Sequence, residues 1–240
     1  MSLLSGFMGG AAGATAEQAA MIAKRNAMKK GKSSEQQRCI DFFFEVASNN
    51  GCCGCLGKNK DMTMEEYQQL VQSKLQGYNF RQKAIAKIGL DESQIQEIPP
   101  IVLASYRFSD DDCLIRVNSE TAVSSKYAVT WIFFSAVQMY TYTFIFDMTS
   151  DDTREITRDF FYSDITCFRT ERQIKENIEV NMSQGCINSK ENIVKNHYVV
   201  DMLEIIVPGT SYEFYLRNSN TVEQSIQAAK NMLREKKYSK

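Results

Sequence analysis

Four cysteines have the residue type and the spacing that could bind a zinc ion. Cys52, Cys53 and Cys55 follow one another closely, and Cys39 lies thirteen residues before the first of them. Three thiolates with a fourth ligand make up many structural zinc sites. The standard arrangement, however, uses two spaced cysteine pairs, and this sequence has no second Cys-x-x-Cys. We therefore favour a glycine-rich loop with packed or exposed thiols over a zinc site, and we predict no cofactor.

The same segment comes close to a phosphate-binding loop but departs from it at two places. That motif needs four residues between its glycines and a Ser or Thr directly after its lysine. Here five residues separate Gly51 from Gly57, and Asn59 follows Lys58. Nucleotide binding at this loop is therefore not predicted.

Catalytic residues are equally hard to find in the sequence. No Gly-x-Ser-x-Gly elbow occurs, and any Cys–His pair must use His197, the single histidine. We interpret the acidic runs at 110–112 and 151–152 as solvated loops, because no calcium-loop spacing accompanies them. The sequence favours a protein that is not an enzyme. A pair of distant carboxylates leaves no local signature, so an enzyme with an unseen site remains a rival hypothesis.

The N-terminal segment is the candidate for membrane contact. Residues 1–38 carry six basic and two acidic side chains, a net charge of +4, which leaves −5 for the rest of the chain. A flexible leader is the favoured interpretation, since glycines weaken a helix. The alternative is a segment that lies on an anionic membrane. The residues that would make this contact are Leu3, Leu4, Phe7, Lys24, Arg25, Lys29 and Lys30.

The overall composition narrows the class of protein. The chain is 43% hydrophobic, which is enough for a core, and its 28 basic and 29 acidic side chains nearly balance. This balance does not favour a nucleic-acid partner. Seven cysteines, an odd number without scaffold spacing, indicate a reducing compartment. We predict a cytoplasmic protein, with peripheral membrane association as the alternative.

Two helices are predicted between residues 61 and 98. Thr63 followed by Glu66 is a capping-box pattern, and Gly89 is placed to end the second helix. Apolar residues at helical spacing mark the buried faces of both helices: Met64, Tyr67, Val71 and Leu75, then Phe80, Ala84, Ile85 and Ile88.

Strands dominate the sequence after Pro99-Pro100. About seven are predicted, at 101–108, 127–134, 137–146, 156–162, 165–170, 198–207 and 212–216. Ser163-Asp164 is predicted to be a hairpin turn, and residues 171–196 are left open as a loop, a hairpin or a short helix. Tyr140, Tyr142, Phe144 and Phe146 share one strand face, and we expect them to pack in the core rather than to stack on nucleic-acid bases.

A single amphipathic helix is predicted at the C-terminal end of the chain. Asn220 and Glu223 frame its start, and Val222, Ile226, Ala229 and Leu233 form an apolar stripe. Such a stripe must be buried against another layer, and the predicted sheet is the available partner.

This order of elements resembles a bacterial pleckstrin-homology-like domain over roughly residues 99–240. The local similarities are short, at Thr130-Trp131-Ile132-Phe133-Phe134 and Phe161-Tyr162-Ser163-Asp164-Ile165-Thr166. The resemblance implies an α+β fold, in which an N-terminal helical segment precedes a bent antiparallel seven-stranded sheet or barrel closed by a C-terminal helix. Some of these domains bind phosphoinositides with basic residues between the first two strands, where this chain has Asp110-Asp111-Asp112. Like charges there would repel a phosphate.

Three regions and one function class follow from these observations. We expect a flexible Gly/Ala-rich basic arm with a Cys-rich loop at 1–60, a small helical module at 61–98, and a pleckstrin-homology-like β domain at 99–240. The resemblance implies a non-catalytic binding or adaptor protein whose partner is an unidentified protein or peptide.

Overall fold

The architecture was determined from a computed structural model of the chain. The residues described are 11–44, 62–91, 93, 95, 98–109, 113–118, 121–183, 190–217 and 219–238. They form five helices and nine strands. The helices are α1 (Ala11–Lys29), α2 (Ser34–Phe44), α3 (Met64–Gln76), α4 (Phe80–Ile88) and α5 (Asn220–Tyr238). The strands are β1 (Ile101–Tyr106), β2 (Ile115–Asn118), β3 (Thr121–Ser124), β4 (Lys126–Phe134), β5 (Gln138–Asp147), β6 (Thr153–Phe161), β7 (Cys167–Ser183), β8 (Lys190–Val207) and β9 (Thr210–Leu216).

The strands form three antiparallel sheets in the described residues. One sheet has the order β1-β4-β5-β6, a second is the β2-β3 hairpin, and the third has the order β7-β8-β9. The α+β class, the N-terminal helices and the C-terminal helix are confirmed. The closed seven-stranded sheet is not: β2 and β3 add a short hairpin that the strand patterns missed, because each has only four residues.

The segment Ser163-Asp164 joins two sheets and is not a hairpin turn. β6 belongs to the first sheet and β7 to the third, so the two strands do not pair. The side chains on either side of this turn, Tyr162 and Ile165, are both buried in the core between the sheets. The Tyr162 hydroxyl also donates a hydrogen bond of 2.6 Å to the carbonyl oxygen of Ser135. Because the residues on both sides of the turn are buried between the sheets, the chain passes from the first sheet to the third at this turn.

The region left open at 171–196 is a long hairpin wherever it is described. β7 and β8 pair over seventeen consecutive positions without a bulge, from Cys167 opposite Ile206 to Ser183 opposite Lys190. Polar and charged residues predominate in β7 and do not alternate regularly with apolar ones, which weakened the strand pattern in the sequence.

One hydrophobic core lies between the first sheet, the third sheet and α5. Ile132 and Phe134 of β4 face Leu203 and Ile205 of β8 across it. The stripe of α5 covers this core with Ile226, Ala229, Met232 and Leu233. The start of the helix differs slightly from the prediction, because Ser219 is the residue that caps it: its hydroxyl accepts a hydrogen bond from the backbone N–H of Val222.

A second core covers the opposite face of the first sheet with α2, α3 and α4. The aromatic residues of β5 lie here as predicted, with Tyr142, Phe144 and Phe146 buried. Tyr67 of α3 is fully buried, stacks on Phe42 with ring centroids 4.7 Å apart, and donates a hydrogen bond to a backbone carbonyl of β3. Helices on one face and a second sheet on the other therefore bury β4 and β5 on both sides.

The two predicted helix signals in this module are confirmed. Thr63 and Glu66 form a capping box, each side chain accepting a hydrogen bond from the backbone N–H of the other. Gly89 ends α4 in the left-handed conformation, with φ of +75°, which a glycine adopts without strain.

Candidate anion-binding site

Strand β6 places two arginines on the face that points between the first and third sheets. Arg154, Ile156, Arg158 and Phe160 alternate along β6, so they share one face by the two-residue period of a strand. Phe160 enters the hydrophobic core. Arg154, Ile156 and Arg158 instead line a cavity of about 270 Å³. We call this space the arginine cavity.

The arginine cavity is built from strands that are distant in the sequence. Arg107, directly after β1, brings a third guanidinium to its wall, and β9 supplies the opposite wall. The described residues that line it are Arg107, Ser109, Ala128, Thr130, Thr143, Arg154, Ile156, Arg158, Ser211, Tyr212, Glu213, Phe214 and Tyr215. Antiparallel pairing of β4, β5 and β6 is what brings these side chains together.

Buried hydroxyl groups form part of the cavity wall. Thr130 of β4 and Thr143 of β5 are directly opposite each other, and their side-chain oxygens are 2.9 Å apart. Both side chains are buried. Each hydroxyl can donate one hydrogen bond and accept others, so this wall offers polar contacts to a bound group.

Arg158 is held in place by an aromatic ring. Its guanidinium carbon lies 4.7 Å from the centroid of the Tyr212 ring, and that ring also packs edge-on against Phe160. Arginine stacks well on aromatic faces because its guanidinium is planar and weakly hydrated. The contact reduces the conformational freedom of the Arg158 side chain.

The cavity concentrates positive charge. Burial is the largest cause that lowers the pKa of Arg158, and the positive charges of Arg154 and Arg107 lower it further, whereas Tyr212 acts in the opposite direction. A guanidinium that is half-buried beside two others is stabilised by an anion, and guanidinium forks match carboxylate and phosphate oxygens in pairs.

The same strand carries the opposite charge on its other face. Glu155 of β6 points towards α4, where its carboxylate is 2.6 Å from the ammonium of Lys83 and 3.4 Å from that of Lys87. The hydrogen bond from Lys83 is the largest cause that lowers the pKa of Glu155. Glu155 is thus engaged by lysines and does not neutralise the neighbouring arginines.

A larger groove, of about 920 Å³, lies between α3 and the strands β1 and β8. Its α3 wall includes Gln68, Gln69, Gln72 and Gln76, and Val199 lies on the β8 side. Amide side chains can bond many groups, and no cluster of like charges converges on this groove in the described residues. We consider this groove a weaker candidate for the binding site than the arginine cavity, because its side chains do not favour one class of ligand.

The cysteine cluster is only partly described. Cys39 lies in α2, is fully buried, and packs in the core beneath the first sheet. Burial raises its pKa to about 12, which disfavours the thiolate that zinc binding requires. Cys52, Cys53 and Cys55 lie outside the described residues, so zinc binding there stays a prediction. Within the described ranges, no group of His, Cys, Asp and Glu is arranged to hold a metal ion.

The residues predicted to contact a membrane fall into three groups in the structure. Leu3, Leu4 and Phe7 lie outside the described residues. Lys24 and Lys30 of the α1 region are exposed. Arg25 and Lys29 instead bond Asp41 of α2, at 2.7 Å and 2.8 Å. Among the helices described, none is both long and apolar enough to cross a bilayer. Membrane contact through this segment stays a prediction.

The other residues singled out in the sequence do not gather into a site. His197 is exposed on β8, opposite Glu176 of β7. Asp151 accepts a hydrogen bond of 2.8 Å from the side-chain amide of Gln36, which links α2 to the turn after β5. The acidic run at 110–112 lies outside the described residues.

Sequence patterns missed the arginine cavity. Its arginines stand at positions 107, 154 and 158 and form no cluster in the sequence. One signal was present: the alternation of Arg154, Ile156, Arg158 and Phe160 puts two cations on a strand face that continues into the core. The predicted strand began at Ile156, so Arg154 fell outside it.

No protein-family model, curated protein or solved structure matches the chain.

Proposed function

We propose that the chain is a non-catalytic binding protein that recognises a partner protein or peptide through an anionic side chain held in the arginine cavity. The observation that carries the proposal is the convergence of Arg107, Arg154 and Arg158 on one cavity. Clusters of arginine are a recurring means of recognising phosphorylated or acidic motifs.

The size of the cavity is compatible with such a group. A water molecule takes up about 30 Å³ in the liquid, so about 270 Å³ holds a phosphoryl or carboxylate group with the atoms that attach it. An anion presented on an extended side chain can enter while the rest of the partner stays outside.

The chemistry of the wall suits binding more than catalysis. Arginines remain protonated at neutral pH and are poor proton acceptors. The cavity wall has no histidine or cysteine among the described residues, and Glu213 is its one acidic side chain there. Guanidinium and hydroxyl groups can hold an anion, but this set lacks an evident general base.

Binding can be tested with degenerate peptides of defined central residue. We would measure fluorescence anisotropy with four pools, centred on phosphoserine, phosphotyrosine, glutamate, or glutamine as the neutral control. The expected result is that at least one anionic pool binds the full chain about tenfold more tightly than the glutamine pool. Equal binding of all four pools would refute the proposal.

Variants then assign the binding to the cavity. Arg158→Gln is expected to weaken the preferred pool about tenfold, because a hydrogen bond to a charged group is lost. Arg158→Lys keeps the charge but not the fork, so an intermediate loss indicates paired bonding. Arg234→Gln, an exposed arginine on α5, is the matched control and is expected to change nothing. Equal losses in both glutamine variants would mean a general charge effect.

A further inference from the structure

The outer edge of β7 is a long strand edge without a pairing partner in the described part of the chain. β7 is the first strand of the β7-β8-β9 sheet, so only one of its edges is bonded within that sheet. Natural edge strands are usually kept short, interrupted by proline or a bulge, or lined with charged side chains, and β7 has only the last of these protections. β7 runs for seventeen residues, contains no proline, and pairs with β8 without a bulge.

An exposed apolar pair lies beside this edge. Ile174 of β7 is 75% exposed and Val199, its partner on β8, is 46% exposed. On the same face the neighbouring pair is Arg172 with Asp201, whose guanidinium and carboxylate are bonded at 2.8 Å and 3.2 Å. The next pair in the other direction is Glu176 with His197. The face therefore shows a basic, an apolar and an acidic position in succession along β7.

We propose that two copies of this chain pair antiparallel along their β7 edges, with Ile174 of one copy opposite Ile174 of the other. A two-fold axis perpendicular to the sheet then places Arg172 of each copy opposite Glu176 of the other. The four-strand row through the axis reads Val199, Ile174, Ile174 and Val199. The adjacent row reads Asp201, Arg172, Glu176 and His197, with opposite charges at the new contact.

The charge pattern selects this register over its neighbours. Opposite residues in one sheet must share a face, so only shifts that keep each face together are allowed. Moving the axis to Arg172 or Lys175 puts two like charges face to face, and moving it to Glu176 does the same. An axis at Gln173 places Arg172 opposite Ile174. The register centred on Ile174 pairs the apolar side chains with each other and the charges with their opposites, which is the arrangement that cross-strand neighbours prefer.

A second copy is the occupant that this edge fits because an isologous contact must be self-complementary. The sequence Arg172-x-Ile174-x-Glu176 has that property about its centre. A peptide from an unrelated partner would have no reason to match it. The β7 edge shares no residue with the arginine cavity, so loss of the dimer would leave the proposed anion binding unaffected, and the reverse also holds.

The oligomeric state of the full chain tests the pairing. Sedimentation velocity from about 1 µM to about 100 µM is expected to show a dimer that dissociates on dilution. Ile174→Lys places two lysines face to face at the axis and is expected to raise the dimer Kd at least tenfold. A chain that is monomeric throughout this range overturns the inference, as does a dimer that Ile174→Lys leaves intact.

A complementation experiment separates loss of pairing from loss of folding. In a dimer of the Arg172→Glu variant, two carboxylates face each other at both contacts. In a dimer of the Glu176→Arg variant, two guanidinium groups face each other at both contacts. Mixed together, the two variants restore opposite charges at both contacts. The expected result is that each variant is monomeric and that their mixture is a dimer. A mixture that stays monomeric although both variants fold, as judged by circular dichroism, overturns the register.

Discussion

Two regions of the molecule carry concentrated positive charge, and they differ in how that charge is held. In α1 and the residue after it, basic residues lie close together in the sequence, and two of them are bonded to Asp41. In the arginine cavity, Arg154 and Arg158 of β6 are joined by Arg107 from a distant part of the chain, and all three line one space. The first region is visible in the sequence but partly neutralised. The second shows in the sequence only as the alternation along β6, and its one acidic wall residue among those described is the exposed Glu213.

The difference shows that charge density along a chain is a poor guide to charge density in space. A basic helix surface exposes most of its cations to water, where pairing is weak. A cavity between two sheets removes part of the water, so a contact between a guanidinium and an anion there is stronger.

The largest expected effect is on binding of the preferred anionic peptide pool. Arg154→Gln with Arg158→Gln is expected to lower its affinity at least about 100-fold, since two charge-assisted hydrogen bonds are lost. Lys24→Gln with Lys30→Gln, which removes the same charge from the α1 region, is expected to change it less than about twofold. Fluorescence anisotropy measures both. Comparable losses of affinity in the two double variants would show that the arginine cavity and the α1 region contribute equally to binding.

The next effect concerns the hydroxyl pair in the cavity wall. Thr143→Val leaves the buried hydroxyl of Thr130 without its partner and is expected to lower the free energy of unfolding by about 1–3 kcal/mol. Thr130→Val with Thr143→Val removes both hydroxyls and is expected to cost less than the sum of the two single changes. Urea unfolding followed by tryptophan fluorescence measures the three variants. Strict additivity would show that the two hydroxyls are not coupled.

A smaller effect is expected when the α1 region is released from Asp41. Asp41→Asn removes the carboxylate that bonds Arg25 and Lys29, so these cations become available to an anionic surface. Sedimentation with phosphatidylserine vesicles is expected to show about fivefold tighter binding of the variant, since the segment gains one unit of net positive charge and a unit charge near such a surface contributes about 1 kcal/mol. Unchanged binding would argue against membrane contact through this segment.

The smallest effect is the stability that the same ion pairs supply. Burial alone would raise the pKa of Asp41, but hydrogen bonds from Arg25 and Lys29 outweigh it and lower the pKa. A lowered folded-state pKa contributes stability above the unfolded value of about 4, and this is lost as pH falls through the folded value. Asp41→Asn is expected to cost at most about 1 kcal/mol at pH 7, because the pairs are partly exposed.

The pH dependence supplies the control for that measurement. The wild-type chain and Asp41→Asn are expected to converge in unfolding free energy as the pH is lowered below about 4. A difference that persists at low pH would mean that the substitution acts through packing and not through the charge.

Local signals in the sequence were reliable where a few neighbouring residues decide the structure. The capping box at Thr63 and Glu66 and the stop at Gly89 depend only on backbone geometry, and both are present. The aromatic face of β5 was correctly assigned to the core, because period-two spacing fixes which residues share a face. Helix α5 was found from its apolar stripe, although its cap is Ser219 and not Asn220.

Features that depend on long-range pairing were missed. Ser163-Asp164 has the composition of a turn, but composition does not say whether the flanking strands pair or separate into two sheets. The hairpin β2-β3 is too short to show a period. The arginine cavity depends on the register of β4, β5 and β6 and on the approach of β9, and no local pattern encodes an inter-sheet distance.

Burial of β4 and β5 on both faces affects how the protein aggregates when its helical layer is damaged. Helices α2, α3 and α4 precede these strands in the chain, so they are synthesised first and can cover the aromatic face as it forms. A change that detaches the helices would expose Tyr142, Phe144 and Phe146 on a sheet that is otherwise intact. Such a surface, rich in β-forming residues, promotes association between molecules. Damage to the helical layer would therefore lead to irreversible, concentration-dependent aggregation before the chain unfolds completely.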